Sequence, residues 1–371
     1  MGASLSVKTS SRRQRGLSVV ELLISLVIGM AVIGGAIQVV VSSKRSFMDQ
    51  DEVTFIQTNA RFAMDILSRD IRMAGYLGCA AQQTVDMANA INSDLLDEKY
   101  RVYVSLEGLR GFEGEAGTDD FPEDYRDLAA SGADSLLIRR GGDIELNVQG
   151  HNSSAGVAAL TLSAPHNYAS GSTLVIADAS CRNIGLFEVS GPAGLPAYTL
   201  EHKGTGTHNC TSVIKGNFSC LPTCNDNSCD GYDAVSAYYS SGSKLMELVS
   251  HAYYIGESDA MPGMPALRRQ VFNAKGPAAT HSEEIALGVE DMEILYGLDA
   301  DGNGEVDQMR KASDIEDGDW GKVISVKISL VFRSQLPVLP VAEKKTLAGT
   351  EYNDRYMRQV VNSTVRIRNR G

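Results

Sequence analysis

Arg12-Arg13-Gln14-Arg15-Gly16-Leu17-Ser18-Val19-Val20-Glu21 opens an apolar run that continues to Val41. Within Leu17–Val41 the strongly polar side chains are Glu21 and Gln38. A stretch of that length, wound as a helix, crosses the ~30 Å hydrocarbon core of a bilayer. Lys8, Arg12, Arg13 and Arg15 precede it. That charge favours a cytoplasmic leader and a C-terminal region on the outer side. A secretory signal would have a shorter apolar region with its cleavage site after it. Here the small residue suited to processing, Gly16, lies before the run, so a cut there leaves the helix in place. Glu21 is the discordant residue. A carboxylate within a membrane segment costs at least ~2.5 kcal/mol, and such groups are as a rule partnered and functional. A cut after Gly16 would give Leu17 a new α-amine four residues before Glu21. In an assembly, the amine of one subunit can neutralise the Glu21 of a neighbour.

The helical pattern continues past Val41. Phe55, Phe62, Ile66 and Met73 recur at seven, four and seven, and Ala63, Leu67 and Ile71 at four. The expectation is one apolar face carrying both series, with Arg61, Asp65, Arg69 and Arg72 off it. The first proline is Pro122, and Gly75 supplies a C-terminal stop. One helix from Leu17 to about Ala74 is expected, roughly 85 Å at 1.5 Å per residue. Gly29, Gly34 and Gly35 lie in its membrane half, either as small residues for close helix packing or as a place for local unwinding on assembly.

Beyond the helix, Cys79 to about Asp134 is polar and irregular, with an acidic loop over Gly111–Arg126. Strands are expected at Ser135–Arg139, Ile144–Val148, Val157–Leu162, Thr173–Ala177, Leu186–Val189, Ala234–Tyr239, Leu245–Ile255, Leu267–Phe272, Ile285–Leu298, Val323–Phe332 and Met357–Ile367. The alternation Val323-Ile324-Ser325-Val326-Lys327-Ile328-Ser329-Leu330 is the clearest. No βαβ alternation appears. The fold class is α+β: a long N-terminal helix packed on antiparallel sheet. The segments are a leader 1–16, a transmembrane helix 17–41, its amphipathic continuation 42–75, and a β-rich domain 76–371. A cysteine-rich insertion or subdomain is expected at 183–244.

The formal net charge is −12, or −16 once the four basic residues of the leader are removed. An acidic chain argues against nucleic-acid binding through a basic surface. The six cysteines are Cys79, Cys181, Cys210, Cys220, Cys224 and Cys229. On the oxidising side of a membrane they are candidates for up to three disulfides, in any of 15 pairings. The last four, with His208, are also a zinc-ligand set, although their spacings are loose for a zinc ribbon.

Asp299-Ala300-Asp301-Gly302-Asn303-Gly304-Glu305-Val306-Asp307 matches the first half of an EF-hand loop, D-x-[DN]-x-[DN]-G. Arg310 stands where the bidentate Glu of that motif belongs, and strands rather than helices flank the loop. Two readings stay open. One is an exposed hairpin turn. The other is a structural Ca²⁺ loop ligated by Asp299, Asp301, Asn303, Glu305 and Asp307, with Asp314, Glu316 or Asp317 completing it.

Enzymatic signatures are missing. There is no G-x-S-x-G, P-loop or H-E-x-x-H, and the six histidines are scattered, His202 and His208 being the closest pair. The chain is expected not to be an enzyme.

Gly16-Leu17-Ser18-x-x-Glu21 in this setting resembles the signal of type IV prepilins. That family is cut at the Gly–Leu bond, N-methylated on the new terminus, and dependent on the Glu. A second resemblance narrows it. Ala60–Tyr76, Tyr296–Gly304, Trp320, Val323–Phe332 and the C-terminal Thr-Val-Arg-Ile-Arg-Asn-Arg are similar to PilW-type minor pilins. The resemblance implies processing between Gly16 and Leu17 by prepilin peptidase. It also implies assembly with other minor pilins and the major pilin, in a priming complex at the inner membrane and then at the filament tip, where a tip adhesin is a further partner. The domain would lie in the periplasm before assembly. J-type pseudopilins of type II secretion share the N-terminus. A membrane-anchored adhesin that never enters a filament is the third reading.

Overall fold

The computed structural model describes residues 18–78, 86–89, 102–105, 107–114, 117, 120–152, 157–204, 208, 209, 212, 214, 239–272, 281–368 and 370. The chain divides into two compact units, Met1–Val53 and Thr54–Gly371.

Helix α1 runs without interruption over Val19–Met73. Ser18 precedes it, its Oγ accepting from the Val20 amide at 3.3 Å and its carbonyl from the Leu22 amide. This is the short polar side chain expected at an N-cap. At the far end Gly75 adopts φ +71°, and the Tyr76 amide donates to the Met73 carbonyl. A residue with a Cβ is strained in that left-handed cap, which explains glycine there.

In the second unit the helix buries Ile56, Ala60, Ala63, Leu67, Ile71 and Ala74 in the largest core cluster. Their steps of four, three, four, four and three hold one stripe on the helix surface. The sequence expectation was partly wrong. The Ala63–Leu67–Ile71 series is the buried face, but Phe62 is 54 % exposed. Phe62 is one residue, hence ~100° around the helix, from Ala63. Small residues at 60 and 63 let the sheet approach the helix there, and this closeness selects the buried face over side-chain size.

Among the described residues seventeen strands follow: β1 Asp86–Asn89, β2 Leu109–Phe112, β3 Ser135–Gly141, β4 Leu146–Asn152, β5 Ala159–His166, β6 Thr173–Ala177, β7 Asn183–Glu188, β8 Ala197–Glu201, β9 Lys244–Glu257, β10 Pro265–Phe272, β11 His281–Leu287, β12 Val289–Leu298, β13 Gln308–Arg310, β14 Val323–Arg333, β15 Glu343–Leu347, β16 Thr350–Asp354 and β17 Arg358–Arg366. All their pairings are antiparallel except that of β1 with β7. Eleven strands are organised around β9. The Lys244–Glu247 end of β9 pairs with β6 and β4. From Leu248 onward it pairs with β3 and β10. A second, four-stranded sheet has the order β13-β12-β14-β17, and β15 and β16 form a separate hairpin.

Ile285–Leu298, expected as one strand, is two. Gly288 separates them, its amide donating to the Pro265 carbonyl and its carbonyl accepting from the Arg333 amide. The polar region before Asp134 holds β2 and a short helix, Glu123–Arg126. In the expected 183–244 insertion, β7 and β8 are strands of the large sheet. Ala234–Val235–Ser236–Ala237–Tyr238, expected to begin a strand, lies outside the described residues.

The amphipathic half of α1 is fixed to the large sheet by a buried polar cluster as well as by its apolar stripe. Asp70 is 4 % exposed. Its Oδ2 accepts from Tyr253 Oη at 2.6 Å and pairs with His251 Nδ1 at 2.7 Å, both on β9. Arg140 Nε on β3 lies 3.6 Å from Oδ1. Burial by itself raises the Asp70 pKa. The bonds and charges of His251, Tyr253 and Arg140 outweigh it and bring the group down to about 2.

Beyond Gly75, the chain meets Gly108 back to back. A Cβ on Gly108 would lie 2.4 Å from the Gly75 Cα and N. Backbone cannot yield as a flexible side chain does. Gly108→Ala is therefore expected to cost about 1–3 kcal/mol, at the upper end for a backbone collision. Urea unfolding reads this as a lower midpoint at unchanged slope.

Candidate functional site

The first unit presents an apolar surface. Val19, Ile24, Val27, Met30, Ile33 and Val41 are each more than half exposed. The span is long and apolar enough to cross a membrane. A continuous apolar surface of this extent marks contact with lipid or with other proteins. Glu21 lies in the first turn, where the unpaired amides of the helix end favour a negative charge. Its own carbonyl accepts from Ser25 Oγ at 2.7 Å, so Ser25 turns its hydroxyl back on the helix rather than outward. Glu21 is thereby the one ionisable side chain between Val19 and Val41. Gly16 and Leu17, the expected processing bond, lie outside the described residues.

The Asp299–Asp307 stretch forms the connection of the β12–β13 hairpin. Asp299 organises it. Its Oδ1 accepts from the Gly302 amide at 2.7 Å and the Asn303 amide at 3.1 Å, and its Oδ2 from the Gly304 amide at 2.8 Å. These amides hold its pKa below the ordinary range against the opposing effect of burial. Asp307 Oδ2 accepts from the Ala300 amide at 2.7 Å and closes the loop. Arg366 on β17 donates to the Gly304 carbonyl at 2.8 Å. Of the five residues expected as Ca²⁺ ligands, Asp299, Asp301 and Asp307 bring carboxylate oxygens within 4.8 Å of one another. Asn303 and Glu305 are used differently: Asn303 Nδ2 donates to Asp301 Oδ2, and the Glu305 amide donates to Asn303 Oδ1. Asp317, an expected completing ligand, instead pairs with Arg110 at 2.7 Å.

Cys181 is the one cysteine among the described residues. Cys79, Cys210, Cys220, Cys224 and Cys229 lie outside them. His208 Nδ1 is 2.6 Å from Glu188 Oε2. The histidines that meet are not the sequence neighbours His202 and His208. They are His151 and His202, with Nε2 atoms 3.0 Å apart. Burial lowers both, His151 to about 4 and His202 to about 3, so the pair is neutral at pH 7. The contact joins residues from β4 and the end of β8, which no spacing in the sequence announces.

The C-terminal arginines tie the last residues to the helix-bearing core. The Arg368 amide donates to the Arg72 carbonyl at 3.0 Å, near the end of α1. Arg370, 1 % exposed, donates from Nη1 to the carbonyls of Trp320 and Val323 at 2.5 and 3.1 Å. It thus adds donors at the end of the 3-10 turn Asp317–Lys322, where the Trp320 carbonyl also accepts from the Val323 amide.

Residues 11–37 match the family model of the prokaryotic N-terminal methylation motif. Residues 252–369 match that of type IV pilus-assembly protein W. No curated protein and no solved structure matches the chain. The second match begins within β9 and takes in the whole four-stranded sheet, whose buried residues share a core with the amphipathic stripe of α1. The methylation motif lies on the apolar part of α1 and the W-type region forms the four-stranded sheet; together the two matches support a PilW-type minor pilin carrying a prepilin cleavage and methylation signal.

Proposed function

We propose that this pilin is cut between Gly16 and Leu17, methylated at Leu17, and joins other minor pilins in a complex that primes type IV pilus assembly and stays at the filament tip. The observation that carries this reading is the exposed apolar helix with a lone first-turn carboxylate, continuous with a helix half buried in a β-rich domain. Such an element suits two environments in turn: lipid before assembly, and the apolar helices of other pilins after it. Basic residues in the leader keep the N-terminus cytoplasmic and set the β-rich domain in the periplasm. The role is structural. Chemistry is done on the chain, by the peptidase and methylase, rather than by it.

Deletion of the gene tests the placement. The expected outcome is loss of surface pili, counted by electron microscopy, and loss of twitching, both restored by the wild-type chain. Unchanged piliation with impaired protein export would instead place the chain in a secretion system, as a J-type pseudopilin. Normal pili and export with impaired surface attachment would make it an anchored adhesin.

A further inference from the structure

Three carboxylates meet where the two sheets come together. Glu113 follows directly on β2 and Asp134 directly precedes β3. The β2–β3 register ends with Phe112 opposite Ser135, and Glu113 and Asp134 are the next residues outward. Glu293 on β12 completes the group, with one carboxylate oxygen of each within 4.8 Å of the others. Asp134 is 2 % exposed. The Glu113 side chain is 10 % exposed. Like charges set opposite each other across a strand pair repel, and burial strengthens the repulsion.

Two atoms beside the acids point to what belongs among them. Glu113 Oε2 is buried without a hydrogen-bond partner, and so is the hydroxyl of Tyr296, a fully buried β12 residue. The hydroxyl packs on Gly111, where a Cβ would lie 2.0 Å from it. The hydroxyl thus lies against β2 two residues before Glu113. After burial, the charges of Asp134 and Glu113 are the main causes raising the Tyr296 pKa. Buried donors and acceptors are nearly always satisfied, and an orphaned pair at one place signals a missing partner.

The other contacts leave room for one. Asp134 Oδ1 accepts from the Gly114 amide at 3.0 Å and Oδ2 from the Ile294 amide at 2.8 Å. Each oxygen keeps a further lone pair. Lys311 Nζ approaches Glu113 Oε1 at 3.3 Å. A cleft of about 330 Å³, lined by Glu113, Gly111, Asp120 and Trp320 among others, opens beside the group and gives a hydrated ion a way in.

We infer that Glu113, Asp134 and Glu293, with the Tyr296 hydroxyl, bind a hard divalent cation of the calcium class. The donors are all oxygen, which selects against zinc and copper. They are fixed to three backbone segments, and calcium tolerates such irregular, carboxylate-rich coordination better than magnesium, which demands a near-ideal octahedron. The ion would join β2 and β3 of the large sheet to β12 of the four-stranded sheet.

The test uses the full-length chain in detergent, with Asp301→Asn and Asp307→Asn introduced so that the hairpin loop does not contribute. Terbium is the probe. Trp320 is the chain's single tryptophan, and its ring centroid is 5.0 Å from that of Tyr296, so excitation of either ring sensitises an ion bound here. The expected result is terbium emission displaced by millimolar calcium, together with a rise in melting temperature on calcium addition. Adding Glu113→Gln and Glu293→Gln is expected to weaken binding by more than ~100-fold, and Tyr296→Phe, which keeps the ring, by about tenfold. Absence of calcium-displaceable emission and of any melting shift in the starting protein would overturn the inference. So would emission unchanged by Tyr296→Phe and by the double glutamine variant.

Discussion

A Glu21→Ala chain is expected to be cut after Gly16 and still fail to support pili. In the proposed function, cleavage depends on the Gly16–Leu17 bond and its flanks, and assembly needs the carboxylate, because the new Leu17 amine of one subunit would otherwise enter an apolar interior unpaired. Between Val19 and Val41 no other ionisable side chain is present to receive it. A charge left unpaired in that setting costs at least ~2.5 kcal/mol. At 1.4 kcal/mol per tenfold, this is a loss of about 100-fold in incorporation. Glu21→Gln should behave similarly, since it keeps the shape but not the charge. N-terminal sequencing of the membrane-bound chain checks the cut, and pilus counts by electron microscopy check the assembly. Wild-type piliation in a cut Glu21→Ala strain would remove the pairing from the account.

Asp70→Ala is the substitution expected to damage the folded domain most. It leaves Arg140 with a lost partner in a buried site, and the Tyr253 hydroxyl without its acceptor. Breaking one side of a buried ionic cluster typically costs about 3–5 kcal/mol. The apolar stripe of α1 remains, so the helix is expected to loosen from β3 and β9 before the sheets themselves open. Hydrogen exchange would report this as early loss of protection between Thr54 and Met73, and thermal melting as a lower midpoint. The pH dependence has a definite sign. The folded pKa of about 2 lies below the ordinary 3.8. The contribution of Asp70 is thus complete above pH ~4 and lost as pH falls through about 2, amounting to roughly 2 kcal/mol at 1.36 kcal/mol per unit. In the Asp70→Ala chain this part of the acid sensitivity disappears.

The helix and the main strands follow from periodicity because burial imposes it. Leu267–Phe272 and Val323–Phe332 were readable since each packs at least one face in a core. β15, Glu-Lys-Lys-Thr-Leu, was not, because a hairpin strand exposed along most of its length has no apolar face to repeat. β2 was hidden in an acidic, glycine-rich region in which Gly108, Gly111 and Gly114 mark close approach, not looseness. Phe62 was misassigned because hydrophobicity gives a face only when the partner surface is known. The processing signal was local and could be read residue by residue. The Asp70 cluster, the His151–His202 contact and the Glu113–Asp134–Glu293 group could not. Their members are brought together by strand pairing across tens to nearly two hundred residues, and no short-range pattern encodes that.

The position of β9 has a consequence for how such a chain can diversify. The family match begins within this one strand, after its Lys244–Glu247 end has already paired with β4 and β6. The core that receives α1 draws on the Leu248–Glu257 end of β9, whereas Val148, Leu160, Leu174 and Phe187 form a separate cluster beyond the other end. Insertions or sequence drift on the faces of β4–β8 that line this cluster would therefore be borne apart from the core that receives α1. The β4–β8 part can be rewritten while the half that receives the buried stripe of α1 keeps its shape, with a single continuous strand as the seam between them.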